Sequence, residues 1–190
     1  MIISFGGNAG SGKSTIAKML AEKLGWQRYY VGGIRRQKAK ERGLTISEYN
    51  KLGESDPSTD IEVDEYQKEL GKALDDFVIE GRTSWFLIPH SFKIFLDVDE
   101  KVAAERLFNE CKTKNERNEG EALKNVEEAL ALLKQRKQSD DLRYRKYYNV
   151  EAFNPANFDY VLDTTNLTPE QVFDLVYRAV QEKLANIDKS

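Results

Sequence analysis

A short apolar run, Ile2-Ile3-Ser4-Phe5, ends in Gly6-Gly7, and the chain continues Asn8-Ala9-Gly10-Ser11-Gly12-Lys13-Ser14. Residues 7–14 fit the Gly-x4-Gly-Lys-Ser phosphate-binding pattern in full, with the strand before it and the helix after it that the pattern requires. Glycines let backbone N–H groups turn inward around phosphate oxygens. A helix opening at Lys13 adds unpaired donors and a partial positive charge. Lys13 can reach β and γ phosphates, and the Ser14 hydroxyl can ligate Mg2+. Gly7, Asn8, Ala9, Gly10, Ser11, Gly12, Lys13, Ser14 and Thr15 are the expected cradle of a nucleoside triphosphate.

Downstream, apolar Ile16, Met19, Leu20 and Leu24 share one face of a helix over 13–24, with Gly25 as its C-cap. Residues 27–31 read as a second strand. Helices are predicted at about 34–42, 46–52 and 60–74, with capping boxes at Thr45-x-x-Glu48 and Thr59-x-x-Glu62. Strands follow at Phe77–Ile79 and Phe92–Leu96, then an amphipathic helix at 100–110. Residues 112–120 are polar and aperiodic and read as a mobile loop. A long charged helix over 121–148, a strand at Tyr160–Leu162 and a helix capped at Thr168 complete the chain. Alternating strands and helices imply an α/β fold, a parallel sheet with right-handed crossovers. The third strand is expected beside the first, by analogy with other P-loop kinases.

The chain of 190 residues suits one domain. A net charge of −3 gives no general attraction to nucleic acid or to an anionic membrane, so phosphate must be held by local Lys and Arg clusters. One cysteine, Cys111, and one histidine, His90, leave neither an internal disulfide nor a Cys/His metal site. No run is long and apolar enough to span a bilayer, and no basic-then-apolar leader precedes Ile2. The expectation is a cytoplasmic monomer acting on small molecules.

An acid at a strand end is needed to help hold Mg2+. Glu80 and Asp97 both qualify, and Glu80 is preferred because its strand would lie beside the phosphate loop. A GTPase-like switch would need Asp-x-x-Gly, and none of the 12 glycines has Asp three positions before it. The single Asn-Lys pair, Asn50-Lys51, lacks the Asp of a guanine reader. An ATP-driven binding module stays open, but a small-molecule kinase fits better. Such an enzyme needs cations facing the γ-phosphate. Arg36 and Arg82, the latter at the carboxyl end of a strand, suit that role, whereas Arg35 reads as a solvated helix residue. Arg136 and Arg143 lie two turns apart on one helical face, which can serve a lid closing over phosphates, although spacing alone favours a charged helix laced with ion pairs. Asp60, Asp64 and Gln67 also share a face, which could read the polar edge of a base or simply be solvated.

These residues together resemble the cytidylate kinases, in particular their short archaeal form, within the nucleoside monophosphate kinase group of P-loop kinases. The likeness covers nearly the whole chain. It rests on Gly-Ser-Gly-Lys-Ser-Thr-Ile-Ala-Lys at 10–18, Ala-Lys-Glu-Arg-Gly-Leu-Thr at 39–45, and Asp56-Pro57 with Asp60, Asp64 and Gln67. It continues in Val-Ile-Glu-Gly-Arg at 78–82, Ala-Glu-Arg at 104–106, Arg136 with Ser139, Arg143-Tyr144, Tyr147-Tyr148 and Asp163-Thr164-Thr165-Asn166. The resemblance implies ATP- and Mg2+-dependent phosphoryl transfer to CMP or dCMP, the alternative being another nucleotide or a small metabolite. It implies a core (1–31, 76–111, 149–190), an acceptor-binding insertion (32–75) and a helical lid (112–148). It places Arg36 and Arg82 on the acceptor phosphate, and Arg106, Arg136 and Arg143 on the transferred group or ATP. Two positions depart from the family pattern. Val31-Gly32-Gly33 lacks a side chain usual near the acceptor, and Glu110 stands where a basic residue is usual.

Overall fold

The computed structural model describes residues 1–113 and 123–187. Five strands form one parallel sheet: β1 (Ile2–Gly7), β2 (Gln27–Tyr30), β3 (Phe77–Glu80), β4 (Phe92–Asp97) and β5 (Tyr160–Asp163), in the order β2-β3-β1-β4-β5. The third strand therefore lies beside the first, with Phe5 opposite Glu80. Strand residues alternate between faces, and here both faces are apolar because both are covered. Ile3, Phe5, Ile94 and Leu96 pack on one side with Ile16, Ala17 and Leu20 of helix α1 (Lys13–Leu24). The Val172, Val176 and Val180 stripe of the last helix (Pro169–Ile187) joins them. Ile2, Phe77 and Ile79 face the other way, against Val31, Val63 and Ile88.

Between β2 and β3 the chain makes α2 (Val31–Glu41), α3 (Ile46–Gly53) and α4 (Ser58–Ala73). The Thr45–Glu48 capping box forms as expected, and Thr168 and Gln171 exchange the equivalent bonds. The box expected at Thr59 does not form. Helix α4 starts at Ser58, whose N–H is taken by the Asp56 carboxylate at 3.0 Å. Pro57 already holds helical dihedrals, and Thr59 is buried inside the first turn. Val31, read as strand, begins α2. A short α5 (Ser84–Leu87), absent from the sequence reading, follows β3.

Helix α6 (Glu100–Thr113) runs through residues 112 and 113, which the sequence assigned to a loop. The rest of that proposed loop, 114–120, lies outside the described residues. Helix α7 (Val126–Tyr148) starts behind an Asn125 cap and docks on α3. Tyr147 Oη donates to the Gly53 carbonyl at 2.8 Å, and Ser139 Oγ donates to that of Asn50 at 3.3 Å. The eighth helix of the described residues, Pro169–Ile187, is α8.

Candidate active site

Strand β1 delivers the chain into the loop at Gly7, whose φ is +122°. A Cβ there would lie 2.1 Å from the Leu96 carbonyl oxygen, so only glycine lets β1 turn this close to β4. Gly12 caps α1 without a side-chain bond, which leaves the helix's first N–H groups for a ligand. The Lys13 ammonium folds over the loop, donating to the carbonyls of Gly7 (2.8 Å) and Asn8 (2.6 Å).

Ser14 Oγ donates to Glu80 Oε2 at 2.6 Å, so the in-register pairing of β1 and β3 brings hydroxyl and carboxylate together. Glu80 is buried, and its second oxygen is held by the Arg28 guanidinium. Asp97 is occupied differently. Its Oδ1 accepts from Asn8 Nδ2 at 2.6 Å and from the Val98 N–H at 2.8 Å, closing the turn after β4. Among the described residues no group of three or more His, Cys, Asp or Glu could hold a metal. A hydroxyl and one carboxylate beside a phosphate cradle nonetheless suit Mg2+, which takes few protein ligands and completes its shell with phosphate and water.

A cleft of about 490 Å3 opens from the phosphate loop, a volume ordinary for a nucleotide-sized ligand. Arg36, Arg82, Arg106, Arg136, Asp60, Asp64 and Glu80 all line it. Arg106 ties α6 to the phosphate loop and to the segment after β5, donating to Gly10 O (3.2 Å) and Thr164 O (2.8 Å). Glu110 lines the cleft close by.

Arg143 and Gln67 do not line the cleft. Arg143 is fully buried and ion-paired with Asp60 and Asp140. Gln67 is buried beneath Asp64, donating to it at 2.9 Å and accepting from Ser84 Oγ at 2.6 Å. The solvated reading of Arg35 is overturned. It is buried, donating to Asn50 Oδ1 at 2.9 Å and to Asp60 Oδ1 at 2.7 Å. A line of alternating charges results: Arg35, Asp60, Arg143, Asp140, and Arg82, whose Nε lies 2.6 Å from Asp140. It runs from the inserted helices through α7 to the end of β3.

Asp60 is thus committed to two arginines. Asp64 keeps a different environment. It accepts from Tyr148 Oη (2.6 Å), Gln67 Nε2 (2.9 Å) and Thr83 Oγ1 (3.2 Å). Burial, helped by the Asp60 charge, pushes its carboxyl up to about 6 against the opposing pull of those hydroxyls. Sequence reasoning gave no role to Arg28, Tyr30, Thr83 or Tyr148. Arg28 and Tyr30 alternate on one face of β2, and Tyr30 lies opposite Glu80 in register, so a strand reading carried one step further would have found them.

A sequence model of the cytidylate kinase-like family matches residues 2–166. The chain is 39% identical over 182 residues to the cytidylate kinase of Natronomonas pharaonis, covering 95% of this chain and 89% of that one. Against the cytidylate kinase of Archaeoglobus fulgidus the identity is 30% over 190 residues, spanning 100% of this chain and 99% of the relative. Among solved structures, shikimate kinase from Bacteroides thetaiotaomicron superposes with a TM-score of 0.62 at 18% identity, covering 97% and 98% of the two chains. The shikimate kinase of Aquifex aeolicus gives 0.57 at 21%, with the same coverage. At such identities the likeness is one of fold.

Proposed function

The chain belongs to the cytidylate kinase-like family, and on that premise we propose that it transfers the γ-phosphoryl group of ATP to a nucleoside monophosphate, CMP or dCMP first. The observation that carries this reading is the single cleft in which the phosphate loop, the Ser14–Glu80 pair and the arginines Arg36, Arg82 and Arg136 converge. Backbone N–H groups of residues 7–15 and Lys13 hold the donor phosphates, and Arg106 and its neighbours form the adenine side. Ser14 and Glu80 hold Mg2+, which when bound neutralises charge on the phosphates. Arg36 and Arg82 bind the acceptor phosphate, and Arg136 faces the transferring group.

No general base is required, because the attacking phosphate oxygen is already ionised near neutral pH. Catalysis is then in-line positioning and charge neutralisation in a site that excludes water. Asp64 reads the base. Its carboxylate accepts from the 4-amino group of cytosine, whereas uracil presents an acceptor at the same place. Arg143 and Gln67 support this surface from behind, and Asp60 lines it beside Asp64 while pairing with Arg35 and Arg143. Residues 32–75 act as the acceptor-binding part and 112–148 as the lid. The enzyme works as a cytoplasmic monomer on small nucleotides.

The test is a panel of CMP, dCMP, UMP, AMP, GMP and phosphorylatable metabolites with Mg2+ and ATP. CMP and dCMP should lead, with UMP about tenfold behind or more, the cost of a buried polar group left unpaired. AMP or UMP leading would keep the kinase class and reject the cytosine assignment. Phosphorylation of an alcohol alone would reject the monophosphate class.

A further inference from the structure

The Val31-Gly32-Gly33 run is unusual because two successive glycines open helix α2, where glycine weakens a helix by roughly 1 kcal/mol per residue relative to alanine. The structure supplies a reason for both. The ring of Tyr30, the last residue of β2, lies on this first turn. A Cβ on Gly33 would sit 2.6 Å from Tyr30 Cδ1, and one on Gly32 would sit 2.9 Å from its Cε2. Contacts that close exclude any side chain unless the ring moves. Their absence at 32 and 33 is the space that Tyr30 fills.

In that space Tyr30 does two things. Its hydroxyl oxygen accepts from Arg36 Nη1 at 2.6 Å, and the same Nη1 donates to Gly32 O at 2.9 Å. The guanidinium carbons of Arg36 and Arg28 lie 5.8 and 5.3 Å from the ring centroid, within cation–π range. Arg36 is thereby fixed by a phenol, a carbonyl and a π-face. A phenol oxygen that accepts from arginine keeps its own proton for donation elsewhere, and Tyr30 lines the cleft, opposite Glu80 in the sheet register.

We infer that Tyr30 is a ligand of the acceptor's phosphate. Its O–H and the Arg36 guanidinium it holds form one clamp for a phosphate monoester dianion, and Gly32-Gly33 exist to seat the ring. This rests on the proposed role of Arg36, so the experiment separates the two ideas.

The experiment compares the parent with Tyr30→Phe, Tyr30→Ser, Gly33→Ala and the double variant Tyr30→Ser/Gly33→Ala. CMP binding is measured by calorimetry, and KM by steady-state kinetics for each substrate. Tyr30→Phe keeps the ring and removes the hydroxyl. It should raise the CMP Kd and the acceptor KM about tenfold, the usual cost of one charge-assisted hydrogen bond, and move the ATP KM less than twofold. Gly33→Ala should weaken CMP similarly in the parent, by displacing the ring from Arg36, but by less than twofold when Tyr30 is already serine. A Tyr30→Phe Kd within twofold of the parent overturns the inference. So does a Gly33→Ala penalty equal in both backgrounds, since the glycine would then serve the helix alone. A parent that binds no monophosphate overturns the functional proposal as well, and its own titration shows this without any variant.

Discussion

Lys13 in this structure spends its ammonium on the carbonyls of its own loop, the groups nearest to where phosphate would sit. Replacing it by alanine gives up these bonds within one loop, which lies outside the apolar core, and removes the cation that would follow the migrating charge. Lys13→Ala should keep the parent's thermal midpoint within a few degrees and lose about 3–4 kcal/mol of transition-state stabilisation, a few-hundred-fold in turnover. Turnover within threefold of the parent would exclude residues 7–14 as the catalytic cradle.

Asp64 makes a second prediction at this scale. Its carboxyl is raised from 3.8 to about 6 by burial, so its protonated form favours the folded state. That contribution is complete below about pH 4 and is lost as pH rises through about 6. The same titration governs base choice, because a protonated carboxyl can donate to uracil O4 and the carboxylate cannot. The ratio of kcat/KM for CMP to that for UMP should therefore fall as pH drops from 7.5 to 5, and Asp64→Asn should flatten the profile. A ratio independent of pH in the parent would remove Asp64 as the reader.

At the scale of elements, strand order decides which acid can serve the metal. β3 lies between β1 and β2, which places Glu80 against Ser14, while Asp97 at the end of β4 is consumed by Asn8 and Val98. A Mg2+ titration should show Glu80→Gln raising the half-saturating concentration about tenfold and Asp97→Asn moving it less than twofold. The reverse order would mean that the turn after β4 holds the ion.

Much of this was legible in sequence. Strands and helices followed from periodicity, the loop from its motif, and Glu80 from the expectation that β3 adjoins β1. What escaped reading depended on contacts distant in sequence. Arg35 looks solvated until Asn50 and Asp60, brought by α3 and α4, bury it. Thr59 carries a capping pattern, but Pro57 starts the helix earlier. Arg143 shares a helical face with Arg136 as expected, yet only Arg136 reaches the cleft, because Asp60 from another helix captures Arg143.

For the whole molecule, the charge line from Arg35 to Arg82 makes α7 more than a loose cover. Arg143 and Asp140 are fully buried, and Arg143 bridges acids on α4 and α7. Removing one member of such a line leaves an uncompensated buried charge, which costs about 3–5 kcal/mol, more than the intact line contributes over an apolar replacement. Arg143→Ala should therefore lower the thermal midpoint by on the order of 10 °C. Arg143→Met combined with Asp140→Asn, which removes one charge of each sign and keeps the Arg35–Asp60 pair, should recover most of that loss. The same ties predict that amides of residues 136–148 exchange slowly without any ligand, at a rate set by opening of the buried cluster rather than by substrate. Hydrogen exchange of the parent and of Arg143→Ala, with and without a bisubstrate analogue, measures this. Slow exchange in the unliganded parent, lost in the variant, would mean that α7 rests docked on the acceptor side before substrates arrive, and would restrict any lid to the part of 112–148 that precedes residue 136. Fast exchange in the unliganded parent would mean that the charge line assembles only when they bind.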